Sequence, residues 1–210
     1  MKELVKKVDW NKSSDGLVPA IVQDAATARV RMLGYMNREA LEKTIASGKV
    51  TFFGRTKKAL WTKGETSGNF LLVDDIKLDC DNDTLLITAR PQGPTCHNGT
   101  ETCWGDEHEP DLGFIGELEN IIADRAKNGD PEKSYVARMM AKSTEKMAQK
   151  VGEEGVETAL AAMGDDRDHL LDEAADLVFH LMILLKSRKL SLRDVTAVLE
   201  KRHKLRDEKR

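Results

Sequence analysis

A change in hydrophobic period near the middle of the chain restricts its fold more than any other feature. Up to about Arg90 the apolar residues come in short runs of strand length, at 17–22, 30–35, 50–53, 70–78 and 84–89. Such runs, bounded by Gly, Asn and Asp, predict strands. One helical stretch interrupts them, opening at Asn37 and stopping at Gly48. Beyond Gly113 the spacing turns helical: Phe114, Ile115, Leu118, Ile121 and Ile122, then Leu170, Leu171, Ala174, Leu177, Val178, Leu181, Leu184 and Leu185. Ser191 with Asp194 has the form of a capping box for a last helix. The expectation is an α+β N-terminal domain of mainly antiparallel strands with one helix, residues 1–112, followed by an all-α domain, residues 113–210. A total of 210 residues suits two such units. The polar, proline-bearing run from Trp104 to Leu112 reads as the linker.

All three cysteines, Cys80, Cys96 and Cys103, fall within the first half, and around Cys80 the chain reads Asp79-Cys80-Asp81-Asn82-Asp83. In extended backbone the three carboxylates would point one way and the thiol the other. A hard oxygen triad suits magnesium and thiolates suit zinc, so one short segment has ligands for two metals. Three thiols without a fourth partner fit a hydrolytic zinc centre, which keeps one position for water. Two other readings stay open: a structural site closed by His97 or His108, and cysteines that serve only as small buried hydrophobes. Asp81-Asn82-Asp83 lies between two strand candidates, so a hairpin tip with merely solvated carboxylates also accounts for it.

Trp61, Thr62, Lys63, Glu65, Thr66 and Ser67, interleaved with Gly64 and Gly68, gather a cation, hydroxyls and backbone amides at close spacing. That chemistry suits a phosphate or ribose, although an ordinary connection has the same composition. Arg55, with Lys57 and Lys58, could add phosphate contacts or form a solvated basic turn. In the helical half, Glu153, Glu154 and Glu157 share one helical side and Glu173 and Asp176 share another. Gly164-Asp165-Asp166 supplies a turn that would fold the two helices together. Converging carboxylates need a cation, and magnesium is the natural one. Solvated helix faces are the plainer alternative.

The 33 basic and 36 acidic residues are spread evenly over both halves, which argues against a nucleic-acid partner. No apolar run reaches the ~20 residues that span a bilayer. The first residues, Met1-Lys2-Glu3-Leu4-Val5-Lys6-Lys7, lack the apolar core of a secretory signal, so a cytoplasmic location is expected, where reduced thiols favour metal ligation over disulfides.

The first half resembles the phosphoribosyl-AMP cyclohydrolases of histidine biosynthesis. The resemblance rests on Asp79-Cys80-Asp81-Asn82-Asp83, on Cys96-His97-Asn98-Gly99 followed by Cys103, and on Leu60-Trp61-Thr62-Lys63-Gly64-Glu65-Thr66-Ser67-Gly68-Asn69. It implies zinc on Cys80, Cys96 and Cys103, magnesium on Asp79, Asp81 and Asp83, and a homodimer whose zinc site draws on both subunits. Glu-Glu-x-x-Glu at 153–157, followed by Glu-x-x-Asp at 173–176, is similar to the motif of all-α nucleotide pyrophosphohydrolases. Lys150-Val151-Gly152-Glu153-Glu154 resembles the phosphoribosyl-ATP branch in particular. Gly155 departs from the alanine often found there, at about 1 kcal/mol of helix propensity. Together these resemblances imply a fused enzyme. Its C-terminal half would release pyrophosphate from phosphoribosyl-ATP, with Lys150 and the magnesium-bound carboxylates at the phosphates, and its N-terminal half would open the ring of phosphoribosyl-AMP. Three thiolates weaken the Lewis acidity of zinc, so a nearby base is needed, and His97 is the candidate. Two competing readings are a nucleotide-pool pyrophosphohydrolase with a zinc domain for specificity and a zinc-stabilised nucleic-acid module, the latter disfavoured by the charge balance.

Overall fold

The computed structural model describes residues 2–105 and 112–207, so most of the linker expected between Trp104 and Leu112, including His108 and Pro110, lies outside the described residues. The chain divides into two compact units, Met1–Gly116 and Glu117–Arg210.

In the first unit a mixed four-stranded sheet has the order β2-β1-β6-β5, formed by β1 (Val18–Asp24), β2 (Val30–Met36), β5 (Leu71–Leu78) and β6 (Leu85–Pro91). β1–β2 and β5–β6 are antiparallel hairpin-type pairs, while β1 and β6 run parallel from Ala20↔Leu85 to Asp24↔Ala89. The parallel pair departs from the mainly antiparallel pattern. It arises because everything between β2 and β6 serves as the crossover that a parallel pair requires. Alternation along β1 turns Val18, Ala20 and Val22 inward, where they meet Leu85, Ile87 and Ala89 of β6.

α2 (Arg38–Ser47) begins where Asn37 Oδ1 accepts the Ala40 N–H at 2.8 Å and ends at Gly48, whose φ of 68° is the left-handed conformation of a helix C-terminus. A short antiparallel pair, β3 (Thr51–Gly54) with β4 (Ala59–Thr62), sets Phe52 opposite Trp61, the ring centroids 4.9 Å apart. Gly34 is required on β2, because a Cβ there would collide with the Phe52 ring. In this unit two elements have no counterpart in the sequence reading: α1 (Lys2–Lys7), too short to show a period, and β4, hidden inside the presumed binding run.

The second unit is helical. It contains α3 (Gly113–Asn128) from Glu117 onward, α4 (Tyr135–Met140), α5 (Thr144–Ala161), α6 (Arg167–Ser187) and α7 (Leu192–Asp207), and Ile122, Val136, Met139, Met147, Met182 and Ile183 are buried in it. α5 and α6 pack together across the turn at 162–166, where the Asp166 carboxylate caps α6 by accepting the N–H groups of Asp168 and His169, each at 3.1 Å. Ser191 and Asp194 form the capping box at α7: the Ser191 N–H donates to Asp194 Oδ2 at 2.8 Å and the Asp194 N–H to Ser191 Oγ at 3.4 Å. At Gly155 on α5 a Cβ would meet only Leu177 Cδ1 at 3.9 Å, so packing does not demand the glycine. Among the described residues no helix is long and apolar enough to cross a membrane.

Candidate functional site

Chemically active side chains gather in both units. In the first, a cleft of about 480 Å³ has Trp61, Thr62, Lys63, Glu65, Thr66 and Ser67 on its wall, together with Cys96, His97 and Cys103. Its first wall is preset by backbone geometry. Gly64 has φ 90°, and a Cβ there would run into the backbone of Asn69 and Phe70, so only glycine lets the loop close this tightly. Lys63 donates to the Asn69 carbonyl at 3.0 Å, and the Thr62 N–H donates to Glu65 Oε2 at 3.1 Å. Thr95 Oγ1, in the same cleft, is buried without a hydrogen-bond partner. Arg55 is elsewhere: its guanidinium lies 3.9 Å from the centroid of the Tyr35 ring and does not line the cleft.

The thiol wall is a loop pinned from beneath. The Cys96 carbonyl accepts the Gly99 N–H at 3.1 Å, and the Cys103 N–H donates to the Arg31 carbonyl at 2.9 Å. Cys96 and Cys103 face each other electrostatically. Hydrogen bonds from the Asn98 N–H and the Thr100 hydroxyl lower the Cys96 thiol, whereas burial, followed by the charge of Cys96, raises Cys103. Two adjoining thiols that resist ionising together fit a soft cation, which would stabilise both as thiolates. His97 Nδ1 is 3.8 Å from Cys96 Sγ. Burial lowers the Lys63 ammonium, and the two thiols oppose that shift. Cys80 does not line this cleft. It is exposed on the β5–β6 connection, and among the described residues no trio of thiols converges within one chain.

The loop owes its place to Arg31, which sequence reading did not single out. Arg31 Nε donates to Asp24 Oδ2 at 2.9 Å, Nη2 lies 2.7 Å from the same oxygen, and Nη1 donates to the Glu101 carbonyl at 3.1 Å. Asp24 is 3% exposed. Burial alone would raise its carboxyl, but the Thr27 N–H, the Arg31 guanidinium and the Ala26 N–H outweigh it and hold the group below its ordinary value. Removing one member of such a buried pair leaves the other uncompensated, so Asp24→Asn should destabilise the first unit by about 3–5 kcal/mol at neutral pH. The wild-type advantage is complete above the unfolded carboxyl value near pH 4 and fades as pH falls through the lower folded value. Urea unfolding at pH 7 and pH 3 checks this, since the gap between the two proteins should narrow in acid.

Asp79, Asp81 and Asp83 each bring a carboxylate oxygen within 4.8 Å of the others. The segment is a turn, not the extended strand assumed for facing these groups one way: Asn82 has φ 66°, and Asp79 Oδ1 accepts the N–H groups of Asp83 and Thr84 at 3.0 and 3.1 Å. The turn therefore converges the acids where strand alternation was expected to do so. The Lys12 ammonium lies against them, contacting Asp81 and reaching Asp83 Oδ2 at 2.8 Å. Hydrogen bonds to these two acids raise the Lys12 ammonium, and Lys12 in turn lowers Asp81.

The second unit gathers Glu154 and Glu157 of α5 with Glu173 of α6, again with oxygens within 4.8 Å of one another. Glu154 is buried, at 4% exposure. Lys150 Nζ lies 2.7 Å from Glu154 Oε1 and 3.1 Å from Glu153 Oε2. That ammonium lowers Glu154, while a hydrogen bond to Glu154 raises Glu157, so the pair disfavours a second charge and suits a cation. Glu153 and Asp176 stay out of the group. Glu153 accepts from Gln149 at 2.7 Å, and the Asp176 side chain is exposed. Sequence reading also missed His180 and Tyr135, whose ring nitrogen Nε2 and hydroxyl are 2.8 Å apart, with His180 Nδ1 3.5 Å from Glu154 Oε1. A histidine in the apolar run of α6 was the signal available.

Comparison with known proteins matches residues 32–105 to the phosphoribosyl-AMP cyclohydrolase family and residues 115–203 to the phosphoribosyl-ATP pyrophosphohydrolase family. The histidine biosynthesis bifunctional protein HisIE of Shigella sonnei is 59% identical over 94% of this chain and 96% of its own length. Its namesake in Escherichia coli K12 is 58% identical over the same shares. That of Vibrio cholerae is 53% identical over 96% of each chain.

Proposed function

The chain belongs to the bifunctional HisIE family of histidine biosynthesis, and on that premise we propose which residues carry each of its two activities. The C-terminal half converts phosphoribosyl-ATP to phosphoribosyl-AMP and pyrophosphate, and the N-terminal half hydrolytically opens the adenine ring of phosphoribosyl-AMP. Residues 1–112 form the cyclohydrolase domain and residues 113–210 the pyrophosphohydrolase domain.

The observation that carries the assignment of the ring-opening site is the cleft that sets the Lys63–Ser67 loop against Cys96, His97 and Cys103. Trp61, Thr62, Lys63, Glu65, Thr66 and Ser67 hold the phosphoribosyl end of phosphoribosyl-AMP, and Arg55 adds charge from outside the cleft. Cys96 and Cys103, with Cys80, hold zinc, which when bound supplies a hydroxide near neutral pH. His97, on the same loop, takes the proton of the attacking water. Since Cys80 lies outside its own chain's cleft, the third thiol comes from the other protomer of a homodimer. Val156 and Leu160 of α5, Met163 in the turn after it and Leu171 of α6, between 50% and 86% exposed, give such a dimer further apolar surface to bury. Asp79, Asp81 and Asp83 hold magnesium, which must displace Lys12.

In the second unit Glu154, Glu157 and Glu173 hold magnesium directly, with Glu153 and Asp176 at its edge. Magnesium there neutralises the polyphosphate of phosphoribosyl-ATP. Lys150, already against Glu154, turns to the phosphates. The partners are these nucleotides, not nucleic acid or membrane, and the setting is the cytoplasm.

Separating the halves tests the division. Expressed alone, residues 1–112 should open phosphoribosyl-AMP and residues 113–210 should release pyrophosphate from phosphoribosyl-ATP, with ATP as the control substrate. A C-terminal fragment with a folded helical spectrum and no pyrophosphate release would contradict it.

A further inference from the structure

Tyr135 and His180 stand outside the carboxylate group of the second unit, yet they are hydrogen-bonded to each other and His180 borders Glu154. His180 is 6% exposed, and its Nδ1 lies 2.9 Å from the Asp176 carbonyl oxygen and 3.5 Å from Glu154 Oε1. A carbonyl oxygen only accepts, so Nδ1 must carry the hydrogen. In the neutral ring that leaves Nε2 as acceptor, and the Tyr135 hydroxyl 2.8 Å away must be its donor. The run of hydrogen bonds thus has one sense, from the Tyr135 O–H to Nε2 and from Nδ1–H to the Asp176 carbonyl, with Glu154 Oε1 3.5 Å from the same nitrogen.

The closest neighbour of Glu154 Oε1 is Lys150 Nζ, at 2.7 Å. With the ammonium at 2.7 Å and the imidazole nitrogen at 3.5 Å, this one oxygen has two polar neighbours that limit how the carboxylate can turn beside Glu157 and Glu173. Fold stability gives little reason for the arrangement. The surrounding core is apolar, with Val136, Met139, Met182 and Ile183 buried, and an apolar side chain of similar volume would serve packing as well as a buried histidine bonded to a tyrosine that is itself 39% exposed. The rings do pack, His180 meeting Tyr135 edge-on at 5.7 Å and Phe179 at 5.6 Å, but phenylalanines would also pack there.

We propose that Tyr135 and His180 are positioning residues of the pyrophosphohydrolase site, fixing Glu154 for the divalent cation that meets the substrate's polyphosphate. α4 is then part of the site's machinery, because it delivers Tyr135. The proposal rests on the reading that Glu154, Glu157 and Glu173 hold that cation.

The experiment uses the full-length chain and its Tyr135→Phe, His180→Phe, His180→Asn and Glu154→Gln variants. Mn2+ binding is followed by electron paramagnetic resonance and pyrophosphate release by its dependence on Mg2+, with cyclohydrolase activity and thermal unfolding reporting the fold. Loss of an outer partner of a metal ligand typically weakens metal affinity roughly 10–100-fold, and His180→Phe should raise the Mg2+ needed for half-maximal release by such a factor. Tyr135→Phe, which deletes one oxygen and keeps the ring, should move it the same way by less. His180→Asn can place an amide N–H where Nδ1–H was and should recover much of the loss. In each, Mn2+ binding at the site emptied by Glu154→Gln should weaken in parallel, while the rate at saturating Mg2+ changes less. Unshifted Mg2+ dependence and Mn2+ binding in folded Tyr135→Phe and His180→Phe would overturn the proposal, and Tyr135→Phe decides alone if His180→Phe does not fold. Full Mn2+ binding and Mg2+-dependent release in Glu154→Gln would instead overturn the carboxylate reading, and the proposal with it.

Discussion

Cys96→Ser should remove bound zinc and lower ring opening of phosphoribosyl-AMP by at least ~100-fold, a factor equivalent to the several kcal/mol that a catalytic metal supplies. Pyrophosphate release from phosphoribosyl-ATP should continue at the wild-type rate, because its carboxylates lie in the other unit. Serine occupies nearly the same space, but its hydroxyl stays protonated at neutral pH. The Cys96 thiol is already lowered by the Asn98 N–H and the Thr100 hydroxyl, so it forms a thiolate more easily than Cys103. Elemental analysis of the purified chain, at about one zinc per wild-type chain if the three-thiol site is correct, and parallel assays of both activities check the result. Full zinc and full ring opening in the variant would refute the assignment.

Cys80→Ser should have the same consequence, although Cys80 lies away from the cleft. Mixing the two variants then tests whether the thiols come from different protomers. In a mixed dimer one site takes Cys80 from the Cys96→Ser chain and Cys96 and Cys103 from the Cys80→Ser chain. Random exchange makes about half the dimers mixed with one of two sites intact, so roughly a quarter of wild-type activity should return. If all three thiols met within one chain, mixing would restore nothing.

The parts of this molecule that were legible in its sequence are those fixed by local period or by residue type. Short apolar runs marked the strands that form β1, β2, β3, β5 and β6, and Asn37 and Gly48 marked both ends of α2. The parallel pairing of β1 with β6 was not legible, since residues 20 and 85 meet only through the whole intervening crossover. The same holds for the supports of the sites. Arg31 and Asp24 are unremarkable charges in sequence, and Tyr135 and His180 are 45 positions apart, each looking like an ordinary core residue. Helical periodicity also has limited angular resolution: three residues advance 300°, so Asp176 sits about 60° around α6 from Glu173. That offset accompanies a Glu173 oxygen inside the carboxylate group and an exposed Asp176 side chain.

Glu154→Gln should cut pyrophosphate release by roughly 100-fold or more, on the same accounting of a metal's share in transition-state stabilisation, and leave ring opening unchanged. Of the carboxylates in this unit, Glu154 is buried, sits between Lys150 and His180, and shares its cluster with Glu157 and Glu173. Glutamine keeps the size of the side chain and one carbonyl acceptor for Lys150 and His180, but removes the charge a cation needs. Asp176→Asn sharpens the test. If Asp176 reaches the cation from its exposed position, that variant should lose activity to a similar degree; if Glu154, Glu157 and Glu173 suffice, it should lose little. Without metal, Glu154→Gln should be less stable than wild type at neutral pH, since Lys150 holds the buried Glu154 carboxyl below its ordinary value and the neutral side chain forfeits that pairing. Pyrophosphate release measured at limiting and saturating Mg2+, beside thermal unfolding in chelator, separates these outcomes. Wild-type turnover by Glu154→Gln at limiting Mg2+ would show that the cluster is only a solvated edge of two packed helices and that the reaction is carried elsewhere.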